Sequence, residues 1–195
     1  MDSTNFYIPL NLPDISENVS QDVIHKLEAA HKTYGPGMWA DFVNENLPLE
    51  IDKLFNKIGL TISRKKTELF SQGAFEKYPP HLDGDPNDPK NFRAFAINWV
   101  WGGKTIMEWH QYNHQELPET LNYTNHIYKT VDEKDCTLLY RSVLVGANLV
   151  NISKFHTVLN ASKQKRYCLS ACSEENISYE QVLKLCQAND LVRKI

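Results

Sequence analysis

Residues Phe92 to Gly103 read FRAFAINWVWGG, and this run decides how the chain is to be folded. It is dense in aromatic and apolar side chains, and Gly102-Gly103 ends it. Thr105–Trp109 resumes the apolar character directly afterwards. Two such runs about a Gly-Gly turn read as a β-hairpin. Working outward, Ile62, Leu69-Phe70 and Phe75 belong to shorter β-rich runs. Leu138–Val145, Leu149–Leu159 and Arg166–Cys172 follow, each bounded by Gly, Asn or Ser. Many short strands with frequent turns over residues 61–173 predict a mainly β jelly roll with flanking helices.

The flanks carry helical spacing. Before the strands, Ser20 is placed to cap a helix with Val23, Ile24, Leu27, Ala30 and His31 on one face, stopped by Gly35-Pro36-Gly37. A second helix lies within Met38–Ile58, with Phe42, Leu49, Ile51, Leu54, Phe55 and Ile58 as apolar contacts and Pro48 either starting or breaking it. After the strands, Ser178 and Gln181 have capping-box spacing, and Tyr179, Val182, Leu183, Leu185, Cys186 and Leu191 form a stripe to pack on the barrel. The expected organisation is one domain: a helical layer over 1–60, the jelly-roll core over 61–173 and a closing helix over 174–195.

Composition bounds the function. The 195 residues are 42% hydrophobic and 23% charged, ordinary for a folded domain. A net charge of −3 disfavours nucleic acid as a partner, and Arg64-Lys65-Lys66 reads as a solvated strand entrance. No apolar run is long enough for a membrane helix, and Met1–Asn5 has neither the basic flank nor the apolar run of a secretory signal. Cys136, Cys168, Cys172 and Cys186 form no C-x-x-C pair and read as free thiols of a reducing cytoplasm.

The chemistry lies in Tyr78-Pro79-Pro80-His81-Leu82-Asp83-Gly84-Asp85. On a strand, His81 and Asp83 point to the same face. Pro79-Pro80 stiffens the entry, and Gly84 permits a sharp turn just after. A lone H-x-D pair is weak. His156, on a later strand, completes two imidazoles and one carboxylate with open positions, the donor set of non-haem Fe(II) oxygenases. Arg166 lies ten residues after His156. A three- or five-residue loop between their strands would put both side chains inside. An inward guanidinium needs an anionic partner, and a dicarboxylate held by its fork would supply one.

H-x-D, then Ala96-Ile97-Asn98, then a distal His, then Arg ten residues on, resembles the 2-oxoglutarate- and Fe(II)-dependent dioxygenase superfamily, in particular its small members of viral and environmental-bacterial origin. The resemblance spans residues 62–173 and implies a double-stranded β-helix, a cupin-like jelly roll. It implies iron on His81, Asp83 and His156, and 2-oxoglutarate on Arg166. It also implies dioxygen as co-reactant and hydroxylation of a small-molecule or peptide substrate, with release of succinate and CO₂. Many members carry Ser two residues after the Arg. Here that position is Cys168, and Ser170 is too far along the strand, about 13 Å for four residues. Tyr78, Asn98 or Lys66 is then expected to supply the second contact. A cupin-type metalloenzyme without 2-oxoglutarate and a non-catalytic binding module remain the alternatives.

Other signals are weaker. Asp83-x-Asp85-x-Asn87 lacks the Gly and Glu of a calcium loop and reads as a polar turn over the site. His110, His114 and His126 lie in a polar stretch, His110–Lys134, expected to be a surface loop acting as a substrate lid. Trp99, Trp101 and Trp109 are candidates for the substrate pocket, with Asn98 and Trp99 necessarily on opposite faces.

Overall fold

The computed structural model describes residues 2–19, 21–34, 47–88, 90, 92–123 and 126–193. Its architecture is mainly antiparallel β. The strands are β1 (Tyr7–Pro9), β2 (Glu68–Gln72), β3 (His81–Asp83), β4 (Phe95–Tyr112), β5 (Leu121–Tyr123), β6 (His126–Thr130), β7 (Cys136–Asn151), β8 (Phe155–Asn160) and β9 (Arg166–Ala171). The helices are α1 (Gln21–Tyr34), α2 (Leu49–Lys57) and α3 (Tyr179–Ala188). None of these helices is long and apolar enough to cross a membrane.

The predicted hairpin at Gly102-Gly103 does not form. Strand β4 passes through the glycines and runs on to Tyr112, paired along one edge with β7 on both sides of the bend. Its other edge takes β9 over Ile97–Gly102 and β8 over Thr105–His110. The glycines mark a bend at which one long ribbon passes from the first sheet, with β1, β9 and β2, to the second, with β8, β3, β6 and β5. The reason is steric. Gly102 has φ +80° and packs against the Lys165 carbonyl, while Gly103 fits between Asn160, Ser162 and Gln164, so neither site has room for a Cβ. The Gly103 N–H donates to Lys165 O at 2.7 Å.

Two cores result. Between the sheets lie Phe6, Ala96, Val100, Met107, Trp109, Leu144, Val150, Cys168 and Cys172. On the outer face of the first sheet, Ile97, Trp99, Leu149 and Leu169 pack under the helices, which contribute Val23, Ile24, Leu27, Ile51, Leu54, Phe55, Tyr179, Val182 and Cys186. Helix α2 starts at Pro48, which acts as its N-cap, and α3 carries the predicted capping box of Ser178 and Gln181. Ser20, residues 35–46 and the side chains of Ala30 and His31 lie outside the described residues.

Several local expectations are corrected. Residues Tyr7–Pro9, read as part of a helical layer, form a strand on the edge of β7. Leu49, in the first turn of α2, is exposed rather than packed. Phe75 lies in a turn with φ +59° and is exposed. The run Leu149–Leu159 is broken by a turn at Ile152–Lys154 between β7 and β8. The cysteines are free thiols as expected, with Cys168, Cys172 and Cys186 buried.

Candidate metal centre

The register of the second sheet assembles the site. His81 of β3 lies directly opposite His156 of β8, which lies directly opposite Trp109 of β4. Directly opposed residues of antiparallel strands share a face, here the inner one. Asp83, two residues on, joins them. The three side chains bring ligand-type atoms within 4.8 Å of one another. Asp83 Oδ1 lies 3.9 Å from His81 Nε2, and Oδ2 lies 3.6 Å from His156 Nε2. The imidazoles are 4.3 Å apart between centroids.

Both rings are held from behind. His81 Nδ1 lies 2.8 Å from Pro79 O, and His156 Nδ1 lies 3.0 Å from Lys154 O, each a carbonyl two residues earlier. Donation from Nδ1 to these carbonyls fixes the tautomer and turns the Nε2 lone pairs inward, the arrangement that orients imidazole ligands. Burial, with His81 alongside, pushes the His156 ring down to about 4, so it is neutral and available as a donor at neutral pH. Two imidazoles and one carboxylate suit a divalent ion of the Fe(II) type and leave coordination positions open.

Arg166 is buried on the same inner face, at the far end of the β8–β9 segment. The loop between these strands, residues 161–165, has five residues, as the parity argument requires. The strands nevertheless do not pair with each other. They lie end to end along β4, so His156, Asn160 and Arg166 keep one parity around the bend. Arg166 Nε donates to Thr105 Oγ1 at 2.8 Å and Nη1 to Gln72 Oε1 at 2.9 Å. Among the described residues, no carboxylate pairs with it. Gln72 and Thr105 had no signal in the sequence beyond strand parity.

The other expected cosubstrate contacts are dispersed. Tyr78 is held close by: its hydroxyl donates to Ser71 O at 3.2 Å, its N–H donates to Val158 O, and burial pushes its phenol well above the ordinary value. Asn98 faces inward, opposite Ser170 and Asn148, with its Oδ1 buried and unpartnered. It lies four residues along β4 from the position opposite Arg166, about 13 Å. Lys66 sits in a 3-10 turn ahead of β2, where Arg64 pairs with Asp52 at 3.0 Å. Ser170 Oγ accepts from Arg93 Nη2 at 3.5 Å, confirming that it is engaged away from Arg166.

The tryptophan assignment is corrected in two of three cases. Trp99 is buried under the helices, and Trp101 packs on Tyr167 on that same outer face. Only Trp109 of the three shares the face of His156. It is fully buried, with Nε1 donating to Asn151 O at 2.8 Å, so it is a wall of the core. A cleft of about 600 Å³ lies at the β4–β7 bend, lined by Leu12, Trp101, Lys104, Val143, Val145 and Arg193 among others, and includes none of His81, Asp83 and His156.

Within the His110–Lys134 segment, residues 113–120 form a largely exposed loop, as expected, while its flanks are strand. His110 is a buried strand residue 3.7 Å from Glu108, His114 is exposed beside Asp135, and the His126 side chain lies outside the described residues. Strand β6 pairs with β3, placing Thr130 opposite His81 and Tyr128 opposite Asp83. The buried Lys129 ammonium bonds Thr120 Oγ1 (2.7 Å) and Pro118 O (2.9 Å) and lies 3.3 Å from Asp85. Strand β6 is therefore a wall beside the metal ligands, and Lys129 ties the end of the preceding loop, at Pro118 and Thr120, to it.

One residue that sequence reasoning missed stands next to the site. Arg93 Nη1 pairs with Glu68 Oε2 at 2.8 Å, and its Nη2 lies 3.5 Å from Asp83 Oδ2.

The sequence matches no family model and no curated protein. Solved structures of similar architecture include EvdO2 from Micromonospora carbonacea var. aurantiaca, 10% identical over 83% of this chain and 84% of that one, TM-score 0.37. The same protein complexed with 2-oxoglutarate is 11% identical over 71% and 66%, TM-score 0.36. Oxalate oxidase in complex with the substrate analogue glycolate is 16% identical, TM-score 0.32. That match covers 57% of this chain and 43% of the oxidase, so the chain spans less than half the oxidase's length. Likenesses this distant do not bear on chemistry, which rests on the residues themselves.

Proposed function

We propose that this protein is an Fe(II)- and 2-oxoglutarate-dependent oxygenase, hydroxylating a small-molecule or peptide substrate with release of succinate and CO₂. One observation carries the reading. A buried arginine, held by two neutral side chains and, among the described residues, by no acid, shares its face with a His-Asp-His cluster. A buried guanidinium without a counter-charge is costly, so the arrangement calls for an anionic ligand.

His81, Asp83 and His156 would hold the metal, and Arg166 the distal carboxylate, with Gln72 and Thr105 fixing the plane of its fork. Tyr78 flanks that end. Iron, when bound, would supply dioxygen activation coupled to oxidation of the 2-oxo acid. The protein's part is to orient the imidazoles through Pro79 O and Lys154 O, to bind the dicarboxylate, and to keep water out with the apolar wall of Met107 and Trp109. Substrate would approach past His81 and Asp83, the two ligands that retain exposure, beside the wall formed by β5 and β6. Four free thiols agree with a cytoplasmic setting.

The test is an anaerobic Fe(II) titration with and without 2-oxoglutarate, following the weak visible charge-transfer band of the chelate. A band that requires both components, and is absent in Asp83→Ala, supports the reading. Metal binding without any such band would move the assignment to a metal enzyme that uses no 2-oxo acid.

A further inference from the structure

We propose that Arg93 is a positioning residue that clamps the metal-ligating carboxylate of Asp83; the inference rests on the metal centre just described. Strand β3 has three residues and ends at Asp83. The chain then turns at Gly84, with φ +97°. The polar turn that follows is held by Asp85 and Asp88: Asn87 N–H donates to Asp85 Oδ1 (2.9 Å), Asp88 N–H to Asp85 O (2.8 Å) and Phe92 N–H to Asp88 O (3.0 Å). It brings the chain back onto the ligand strand, where the Arg93 N–H donates to Asp83 O at 3.0 Å. Backbone and side chain of Arg93 thus both grip Asp83.

The guanidinium is itself anchored on the other side. Nη1 bonds Glu68 Oε2 (2.8 Å) and Lys66 O (3.3 Å), and Nη2 bonds Ser170 Oγ (3.5 Å). Glu68 and Ser170 are opposed residues of β2 and β9, buried in the first sheet. The clamp therefore ties a ligand at the end of a three-residue strand of the second sheet to the buried interior of the first. Asp83 Oδ2 is the oxygen nearest both Arg93 and His156. Fixing it removes the rotation about χ1 that would carry a partly exposed carboxylate out to solvent. Metal-ligating carboxylates are commonly held by such a hydrogen-bonded outer partner, and its loss typically weakens the metal 10–100-fold.

The experiment uses Co(II) as probe, because its visible d–d bands report coordination and its titration gives an affinity without turnover. Arg93→Gln alone would strand the buried Glu68 charge. The double variant Arg93→Gln/Glu68→Gln removes equal and opposite charges. Arg93 is nearer the site than Glu68, so any residual field change favours the cation, and a loss of affinity in this variant reports orientation. Arg93→Lys, which keeps a cation for Glu68 but not the fork, is measured alongside. Cooperative thermal melts establish which variants fold. The expected result is Co(II) affinity lowered about 10–100-fold in the folded variants, with d–d bands shifted from wild type. Folded variants that bind Co(II) within about twofold of wild type, with superimposable spectra, would overturn the clamp. Wild type that fails to bind Co(II), or His156→Ala that binds it undiminished, would instead overturn the metal centre.

Discussion

Replacing Arg166 with Met should weaken 2-oxoglutarate selectively, and the size of the loss follows from the donors the arginine has left. A guanidinium carries five N–H groups. Two are committed, to Thr105 Oγ1 and Gln72 Oε1, leaving three for a ligand carboxylate. A bidentate contact uses two, and hydrogen bonds to a charged partner contribute about 1.5–3 kcal/mol each. The lower bound for the pair, about 3 kcal/mol, corresponds to roughly a hundredfold in Kd. The assay is calorimetric titration of 2-oxoglutarate into the Mn(II)-loaded protein, with 2-oxobutanoate as a companion lacking the distal carboxylate. Wild type should prefer the dicarboxylate by about two orders of magnitude, and Arg166→Met should abolish that preference while Mn(II) affinity stays within a few-fold. The substitution leaves Gln72 Oε1 without its donor, costing about 1–3 kcal/mol of stability, so a melt accompanies each titration. A variant that keeps the wild-type preference, or loses metal and dicarboxylate equally, would refute the anchoring role and make Arg166 a structural residue.

His81→Ala and His156→Ala should each abolish stoichiometric Fe(II) binding while retaining a cooperative melt, checked by metal analysis of the purified variants. The metal-free protein should lose stability on acidification. His156 is held near 4 by burial and by His81, against an ordinary value of 6.5, so below 6.5 the unfolded chain takes up a proton that the folded ring refuses. Stability is complete above that pH and falls by up to about 3 kcal/mol as pH drops towards 4; urea unfolding of wild type against His156→Gln between pH 7 and 4.5 should show this component only in wild type. Gly103→Ala should cost about 2–4 kcal/mol in the same assay, because a Cβ there meets Asn160 Oδ1, Gln164 O and Ser162 Oγ in the bend.

The site was legible where strand parity was enough. His81 and Asp83, two apart, needed only the alternation of side chains, whereas His156 and Arg166 share a face not through the expected hairpin but because β8 and β9 follow each other along β4. Parity failed in β4 because the chain switches it at the bend: Ala96, Asn98 and Val100 face the inner core before Gly102-Gly103, whereas Met107 and Trp109 do so after. Trp99 and Trp109 therefore point to opposite faces although both are odd-numbered. The same Gly-Gly that reads locally as a hairpin turn is, in the fold, a place where Lys165 O and Asn160 approach the backbone, and a close approach from residues some sixty positions away leaves no local trace. Arg93 was invisible for a related reason. It sits beyond an irregular turn, with no periodicity to give its direction, and its partners Glu68 and Ser170 come from two distant strands.

The charges buried on the inner face explain why Arg166 is held by neutral groups. Among the described residues, Glu68 and Arg166 are buried there, and Arg93 and Asp83, which keep partial exposure, stand against Glu68 and against a neutral His156. This group of four is balanced, two of each sign. A divalent cation alone would leave it at plus two and a dicarboxylate alone at minus two, each an expensive state at low dielectric. Bound together they restore balance, so each should favour the other, and by linkage to the same degree. An acid in place of Gln72 or Thr105 would satisfy Arg166 internally and attract the cation, but it would repel the dicarboxylate and break this coupling. The neutral amide and hydroxyl fix the plane of the guanidinium while leaving its charge for a ligand.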